Sequence, residues 1–359
     1  MVASPPVRLR SISIKNFRGI DTLEFELPPD DGPHAGALVL AGDNGVGKTS
    51  VLEAILILFG RVDLLPADTA SPRELVRQGA VDFEIRGELA AGGRAEPWSV
   101  NRAELEALNA RLRRPDAESA YGKALKRDSL DDTLRGLQWG GLGPSHFAIE
   151  YFSARREPVD LGDPPSGTSG PRSTREERRL AELKRRLVNV FTRSRGRDET
   201  FERIEAFMRT FFGPRWTLDV MFRSAEVGGD AEVVVRDGPL PSATLTIDAV
   251  RERAAYGEAM PRVVPIDRLS SGQLAVLAMA YPFVFADRAP DLALIDEPEQ
   301  HHQVGWQGAL LPALRALSPA TQFVVATHSP WVLDAVPSYE RRELTADDIQ
   351  APPVADAAE

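Results

Sequence analysis

The chain has 359 residues and no cysteine. Disulfides, thiolate zinc sites and cysteine nucleophiles are therefore excluded. No apolar run approaches the eighteen or more residues of a membrane span, so no membrane partner is expected. The opening MVASPPVRLR lacks the apolar core of a signal peptide, and the cytoplasm is the expected compartment. An excess of positive charge is also missing. The net charge of -10 disfavours non-specific adhesion to nucleic acid by the surface as a whole, though not a local basic patch. Against these absences, 43% hydrophobic and 27% charged residues are ordinary for a soluble globular chain. The length suits one large domain or two lobes with a buried core.

The stretch ALVLAGDNGVGKTSVLEAILILFG reads as strand, loop and helix. Ala37 to Ala41 are small and apolar, as in a buried parallel strand. Gly42 to Thr49 fit G-x-x-x-x-G-K-[ST] without a mismatch, and helix-forming residues follow to Phe59. Glycines let backbone N–H groups wrap phosphate, and the helix N-terminus adds a favourable dipole. Lys48 supplies a point charge for β- and γ-phosphates, and Thr49 offers a hydroxyl to Mg²⁺. The nucleotide-binding candidates here are Gly42, Asp43, Asn44, Gly45, Val46, Gly47, Lys48, Thr49 and Ser50.

DLALIDEPEQHH is a second apolar strand, Leu292 to Ile295, that ends in two acids. Asp296 at a strand end can hold Mg²⁺ through its water shell, and Glu297 can orient and polarise an attacking water. The alternative is a strand followed by a solvated turn. TQFVVATHSPWVL repeats the design: Phe323 to Ala326 form a strand with His328 at its tip. That imidazole is placed either to contact a γ-phosphate or to pack and cap. Three strands ending in chemistry is the pattern of open parallel sheets at their carboxyl edge.

RLSSGQ, Arg268 to Gln273, has the small residues of a phosphate-binding turn but lacks the lysine. On its own it reads better as a serine N-cap with a helix, GQLAVLAMAYPFVF, behind it. Taken together, GDNGVGKT, LSSGQ, LIDEPE and the strand-end His328 resemble the ABC-type ATPase heads of the SMC and RecF superfamily. The Asn-Phe-Arg of ISIKNFRGIDTLEFEL resembles that superfamily's first strands. The EPE-x-H and Thr-His-Ser-Pro forms are similar to those of OLD-family nucleases and Septu-type phage-defence ATPases. The motifs span residues 12 to 334.

The resemblance implies an α/β fold: a P-loop NTPase of ABC type, with a mixed β-subdomain, a mostly parallel sheet flanked by helices and a helical insertion. It implies ATP and Mg²⁺ as cofactors, with Thr49 and Asp296 placing the metal, Glu297 as base for in-line water attack and His328 steadying the γ-phosphate. Arg18 would touch the nucleotide near base or ribose. Ser270, Ser271, Gly272 and Gln273 would serve the nucleotide held by Lys48 of a second protomer, giving an ATP-sandwiched homodimer. Three departures stand out. Ser271 occupies the third signature position in place of glycine. EPEQHHQV lacks the family's second histidine and proline. No glutamine follows the strand expected in YFSARREPVD, leaving Gln78 of VRQG as a substitute for the Q-loop residue.

The expected organisation is an N-terminal ATPase lobe over 1–100, a largely helical insertion over 101–215, a C-terminal ATPase lobe over 216–340 and a tail over 341–359. Residues 82–100 alternate as strands, 102–138 read as polar helix, and LGDPPSGTSGPRS is turn and linker chemistry. In TREERRLAELKRRLVNVFTRSRGR, Leu180, Leu183, Leu187 and Phe191 have helical spacing. Residues 172–197 hold ten Arg/Lys against three Glu, which reads either as a phosphate-contacting nucleic-acid surface or as a solvated face that meets an acidic partner. That helix of roughly 36 Å is too short for SMC-type arms. The chain offers no room for an OLD-type nuclease domain, so an effector, possibly a nuclease, is expected on a separate chain. The leading expectation is an ATP-hydrolysing dimer that gates a partner in phage defence or DNA repair. The alternatives are a RecF-like DNA clamp reset by hydrolysis and an ATP-assembled scaffold.

Overall fold

The computed structural model describes residues 7–30, 34–65, 71–91, 94–112, 148–154, 175–194, 196–223, 230–240, 246–285, 289–300 and 302–345. The chain divides into two compact units. The first is Met1–Ala154, Pro290–Pro298 and Ala320–Glu359, and the second is Arg155–Ala289 and Glu299–Pro319.

The first unit contains two sheets. Strands β1 (Arg8–Phe17), β2 (Ile20–Glu26), β4 (Glu84–Ala91) and β5 (Arg94–Asn101) form an antiparallel sheet in the order β2-β1-β4-β5. One face of β1 is buried through Ile12 and Ile14, while Lys15 is exposed, the alternation of a half-buried strand. The second sheet is parallel, with order β12-β3-β11-β10-β6. Its members are β3 (Ala37–Ala41), β6 (Ile149–Phe152), β10 (Leu292–Asp296), β11 (Gln322–Ala326) and β12 (Arg341–Glu343). All five residues of β3, β10 and β11 are buried, as their unbroken apolar runs require. Helix α1 (Lys48–Leu58) packs against strands of both sheets, which is why it is apolar on every side. Helix α2 (Arg102–Leu112) follows β5.

The expected strands at 37–41, 292–295 and 323–326 and the pair within 82–100 are present. Residues 341–343, assigned to a tail by sequence, instead add an edge strand beside β3, and Leu344 is buried behind it. The helical reading of 113–138, the linker reading of 161–173 and the tail from 346 lie outside the described residues.

The second unit contains α3 (Arg175–Ser194), α4 (Glu199–Phe212), α5 (Ile247–Ala255), α6 (Ser271–Phe285) and α7 (Val304–Leu317). It also holds an antiparallel sheet of β7 (Thr217–Phe222), β8 (Ala231–Arg236) and β9 (Val263–Pro265). Leu180, Leu183 and Leu187 of α3 are fully buried in one cluster with Leu274 and Leu277 of α6, and Phe191 packs against it. Asp198 starts α4 by accepting from the Thr200 N–H at 2.9 Å, and Gly213 ends it at φ 97°. Arg203 donates to the carbonyls of Phe283 and Leu317 at 3.3 and 3.1 Å, tying together the ends of α6 and α7.

The basic helix is less open than its composition indicates. Arg179 is buried, and burial pushes its pKa down to about 9. Lys184 pairs with Asp267 at 2.6 Å, and Arg186 pairs with Glu182 at 3.1 Å. Arg185 also binds Glu182, which holds that carboxylate below its usual range. Arg178, Arg185 and Arg193 remain exposed along the helix.

Candidate active site

The site is built at the carboxyl edge of the parallel sheet, where β11 lies between β3 and β10. Each strand ends in one part of it. β3 runs into Gly42, β10 ends at Asp296, and β11 leads to Thr327 and His328. The register sets Asp296 beside Ala326, and the Thr327 N–H reaches the Leu40 carbonyl at 3.0 Å. Three chemically distinct tips are thus held in line by backbone hydrogen bonds before any side chain is considered.

The loop after β3 turns through residues that hold positive φ. Gly42 is at 140°, Gly45 at 86° and Gly47, the N-cap of α1, at 84°. Asp43, Asn44 and Gly45 are exposed at the tip, while Val46 packs inward against the core. Lys48 is almost wholly buried, and its Nζ donates to the carbonyls of Gly42 and Asp43 at 2.7 and 2.8 Å. The ammonium is held inside its own loop by backbone carbonyls alone, a position where an anion is the favourable further partner. α1 carries no acid in its first turn, so its N-terminal dipole is uncompensated by side chains. Ser50 lies half-buried in that turn.

Thr49 donates its hydroxyl to both Asp296 oxygens, at 3.2 and 3.0 Å. The two residues are 247 positions apart in sequence, and Asp296 is 1% exposed. Glu297, the next residue, has φ 46°, a left-handed conformation that costs a non-glycine residue about 1–3 kcal/mol. Its N–H is fixed on the Ala326 carbonyl at 2.8 Å. This turn swings the carboxylate off the strand direction and brings Oε1 to 3.9 Å from Nδ1 of His328. That is longer than a hydrogen bond. The structure brings Lys48, Thr49, Asp296, Glu297 and His328 together at this edge of the sheet.

Arg18 reaches the phosphate-loop helix from the β1–β2 turn. Its Nη2 lies 2.7 Å from Glu53 of α1. Glu53 is a buried contact of Arg18 that sequence reasoning did not single out. Its signal was present: it is the one acid within the apolar run VLEAILIL.

Ser270 to Gln273 stand in the second unit, where they close a capping box on α6. The Ser270 N–H donates to Gln273 Oε1 at 3.0 Å, and the Gln273 N–H reaches Ser270 Oγ at 3.4 Å. The N-cap reading of LSSGQ is thus realised. Ser270 and Ser271 are exposed, and Gly272 is half-buried. Gln78 is exposed in a turn two residues after Val76, which bridges to Phe17. β6 ends at Phe152, two residues before the described segment does.

The chain is similar to several known proteins. The model of an AAA ATPase domain matches residues 8–88, and that of an AAA domain, putative AbiEii toxin of a type IV toxin–antitoxin system, matches residues 260–334. The DNA replication and repair protein RecF of Anaeromyxobacter dehalogenans (strain 2CP-C) is 34% identical over 36% of this chain and 31% of its own length. The Septu protein PtuA of Bacillus mycoides (strain KBAB4) is 22% identical over 90% of this chain and 38% of its own. The chain thus spans about a third of the length of these relatives. Among solved structures, the SMC head domain from Thermotoga maritima aligns over 94% of this chain and 95% of that one, with TM-score 0.43 and 16% identity. The recombination mediator protein RecF-ATPrS in the RecFOR pathway aligns over 92% of this chain and 95% of that one, with TM-score 0.41 and 13% identity. Both family models are of AAA domains, one of them an AAA ATPase domain.

Proposed function

We propose that the chain is a Mg²⁺-dependent ATP hydrolase that closes into a homodimer around ATP and gates a separate partner protein in phage defence or DNA repair. One observation carries the proposal: the Thr49 hydroxyl and the Asp296 carboxylate are joined beside the Lys48 loop. The donor set fits a small hard cation. Among the described residues no cluster of three or more His, Cys, Asp or Glu could hold a metal. One hydroxyl and one carboxylate suit Mg²⁺, which usually keeps waters and completes its shell with substrate phosphate. When bound, the ion neutralises charge on the phosphate oxygens. The backbone of Gly42 to Gly47 and Lys48 hold the phosphates. Glu297 Oε1 accepts the proton of the attacking water, and His328 Nδ1 steadies the charge beside it.

The dimer and the partner draw on other support. Ser271 and Gly272 present first-turn N–H groups at the start of a 15-residue helix, a favourable end for a phosphate. In the dimer they would face the nucleotide held by Lys48 of the second copy. The likeness to RecF and PtuA supports repair or defence as the setting.

Sedimentation tests the proposal. Glu297→Gln should bind ATP, dimerise with it and turn over about 10²- to 10⁴-fold more slowly than wild type. Adding Gly272→Arg puts a bulky cation against the partner's γ-phosphate and should keep the protein monomeric. A double variant that still dimerises on ATP would reduce RLSSGQ to a capped helix start. Normal turnover by Glu297→Gln would remove Glu297 as the base.

A further inference from the structure

We propose that Glu53 is a positioning residue for the nucleotide: its carboxylate fixes the Arg18 guanidinium so that the remaining N–H groups of that arginine meet ATP. This rests on the reading above that Lys48 and its loop hold ATP.

Glu53 is anomalous where it stands. Val51, Leu52, Ala54, Ile55 and Leu56 around it are fully buried and apolar, and α1 is packed against strands of both sheets of its unit. A carboxylate in that setting loses its hydration and is tolerated only with a close cation. Its side chain is 4% exposed and lies 2.7 Å from Arg18 Nη2, whereas the Arg18 side chain is 33% exposed. The pair is therefore one-sided. The acid is sealed in the core, and the guanidinium looks outward from it.

The backbone around Arg18 is held as well. Asn16 and Arg18 both hold positive φ, at 53° and 52°, on either side of the fully buried Phe17. Phe17 packs edge-on against Phe83 at 5.4 Å. The Arg18 N–H donates to the Leu75 carbonyl at 2.7 Å, and the Asn16 carbonyl accepts from Arg77 at 2.8 Å. Arg18 is the first residue of the two-residue β1–β2 hairpin loop, where positive φ is the usual geometry, and these backbone bonds hold that turn in place. The turn fixes the Cα of Arg18, and Glu53 fixes the far end of its side chain.

The arginine is oriented rather than consumed. A guanidinium carries five N–H donors, and the ion pair engages only the Nη2 end. Arg18 Nε is sealed from solvent while the side chain is 33% exposed, so the terminal nitrogens are the donors a ligand could reach. Donor capacity is left over on a group whose position is locked at both ends, which is the preorganisation that a bound anion or ribose hydroxyl exploits.

The test is titration of a fluorescent ATP analogue, with ATP turnover and thermal unfolding alongside. Glu53→Gln should weaken affinity about tenfold, the loss expected of one charge-assisted contact, and leave turnover at saturating ATP within about twofold of wild type. Arg18→Ala should give the same loss. The double variant should lose no more than either single one, because on this proposal the Glu53 carboxylate bears on the nucleotide through Arg18. Glu53→Asp keeps the buried charge but is one methylene shorter, so it should lose affinity by about threefold even if Glu53→Gln fails to fold. Additive losses in the double variant, or normal affinity in folded Glu53→Asp, would overturn the proposal. Lys48→Ala separates this outcome from failure of the underlying reading. If wild type and Lys48→Ala bind alike, the nucleotide site itself is wrong; if only Lys48→Ala loses binding, Glu53 alone is reassigned.

Discussion

Gly42→Ala should damage the phosphate loop by a route visible in the backbone. A Cβ on Gly42 would lie 2.4 Å from the Leu344 carbonyl oxygen and 2.9 Å from Val46 Cγ2. Ordinary contact begins near 3.4 Å, so about 1 Å of movement is required. The methyl also meets φ 140°, a strain of about 1–3 kcal/mol for an L-residue. If β12 gives way, the 2.8 Å bond from the Leu344 N–H to the Ala41 carbonyl is lost, for about 1 kcal/mol more. The total of about 2–4 kcal/mol corresponds to a fall in Tm of roughly 4–16 °C for a unit of this size. If the loop gives way instead, a displacement of about 1 Å should cost about a hundredfold in turnover. Gly45→Ala is the control. It meets nothing within 4 Å and carries only the cost of φ 86°, about 1–2 kcal/mol. Scanning calorimetry and ATP turnover on both variants separate the steric term from the conformational one. A Gly42→Ala protein no worse than Gly45→Ala in either assay would show that β12 does not confine the loop.

Other outcomes are expected of the same site and of the basic helix. Lys48→Ala should lose ATP binding by about a hundredfold or more while folding normally, checked by nucleotide titration, because α1 is anchored by its apolar residues. If the clamp alternative holds, Arg178→Glu, Arg185→Glu and Arg193→Glu together should abolish salt-sensitive binding to DNA and leave ATP turnover intact, and unchanged binding at physiological salt would remove α3 from that reading. Arg179 is left out of that set, since a buried cation reversed to a carboxylate tests folding and not binding.

Much of the candidate site was legible because its pattern is local. The strand β3, its loop and α1 are contiguous, and their residue types fit the phosphate-loop pattern one by one. Asp296 and His328 were legible for a second reason: each follows a short apolar run that can only be a buried strand. What the sequence concealed is contact at long range. Nothing in RRELT marks residues 341–343 as a strand, because a three-residue edge strand with exposed side chains has no alternation to read. It forms because β3 offers a free edge. The charge of α3 misled in the opposite direction. Composition counts Arg179, Lys184 and Arg186 as surface, yet one is buried and two are held by Asp267 and Glu182.

The capping box on α6 bears on how LSSGQ can act at all. Ser270 Oγ donates to Gln273 Oε1 at 3.1 Å and accepts from the Gln273 N–H, so its hydrogen and one lone pair are committed within the chain. A phosphate arriving at this end could not take a proton from that hydroxyl without breaking the box. The donors still available are backbone N–H groups of the first turn, which a helix leaves unsatisfied by construction. Those N–H groups need no glycine in the third position of the motif, only an open approach. Ser271 is exposed there and Gly272 beside it has no side chain to obstruct, so the departure from the family's glycine at position 271 leaves the donor set intact. The box then has a definite task in the proposed dimer. It holds the helix start rigid, so that the first-turn donors are already aimed before a second protomer presents its nucleotide.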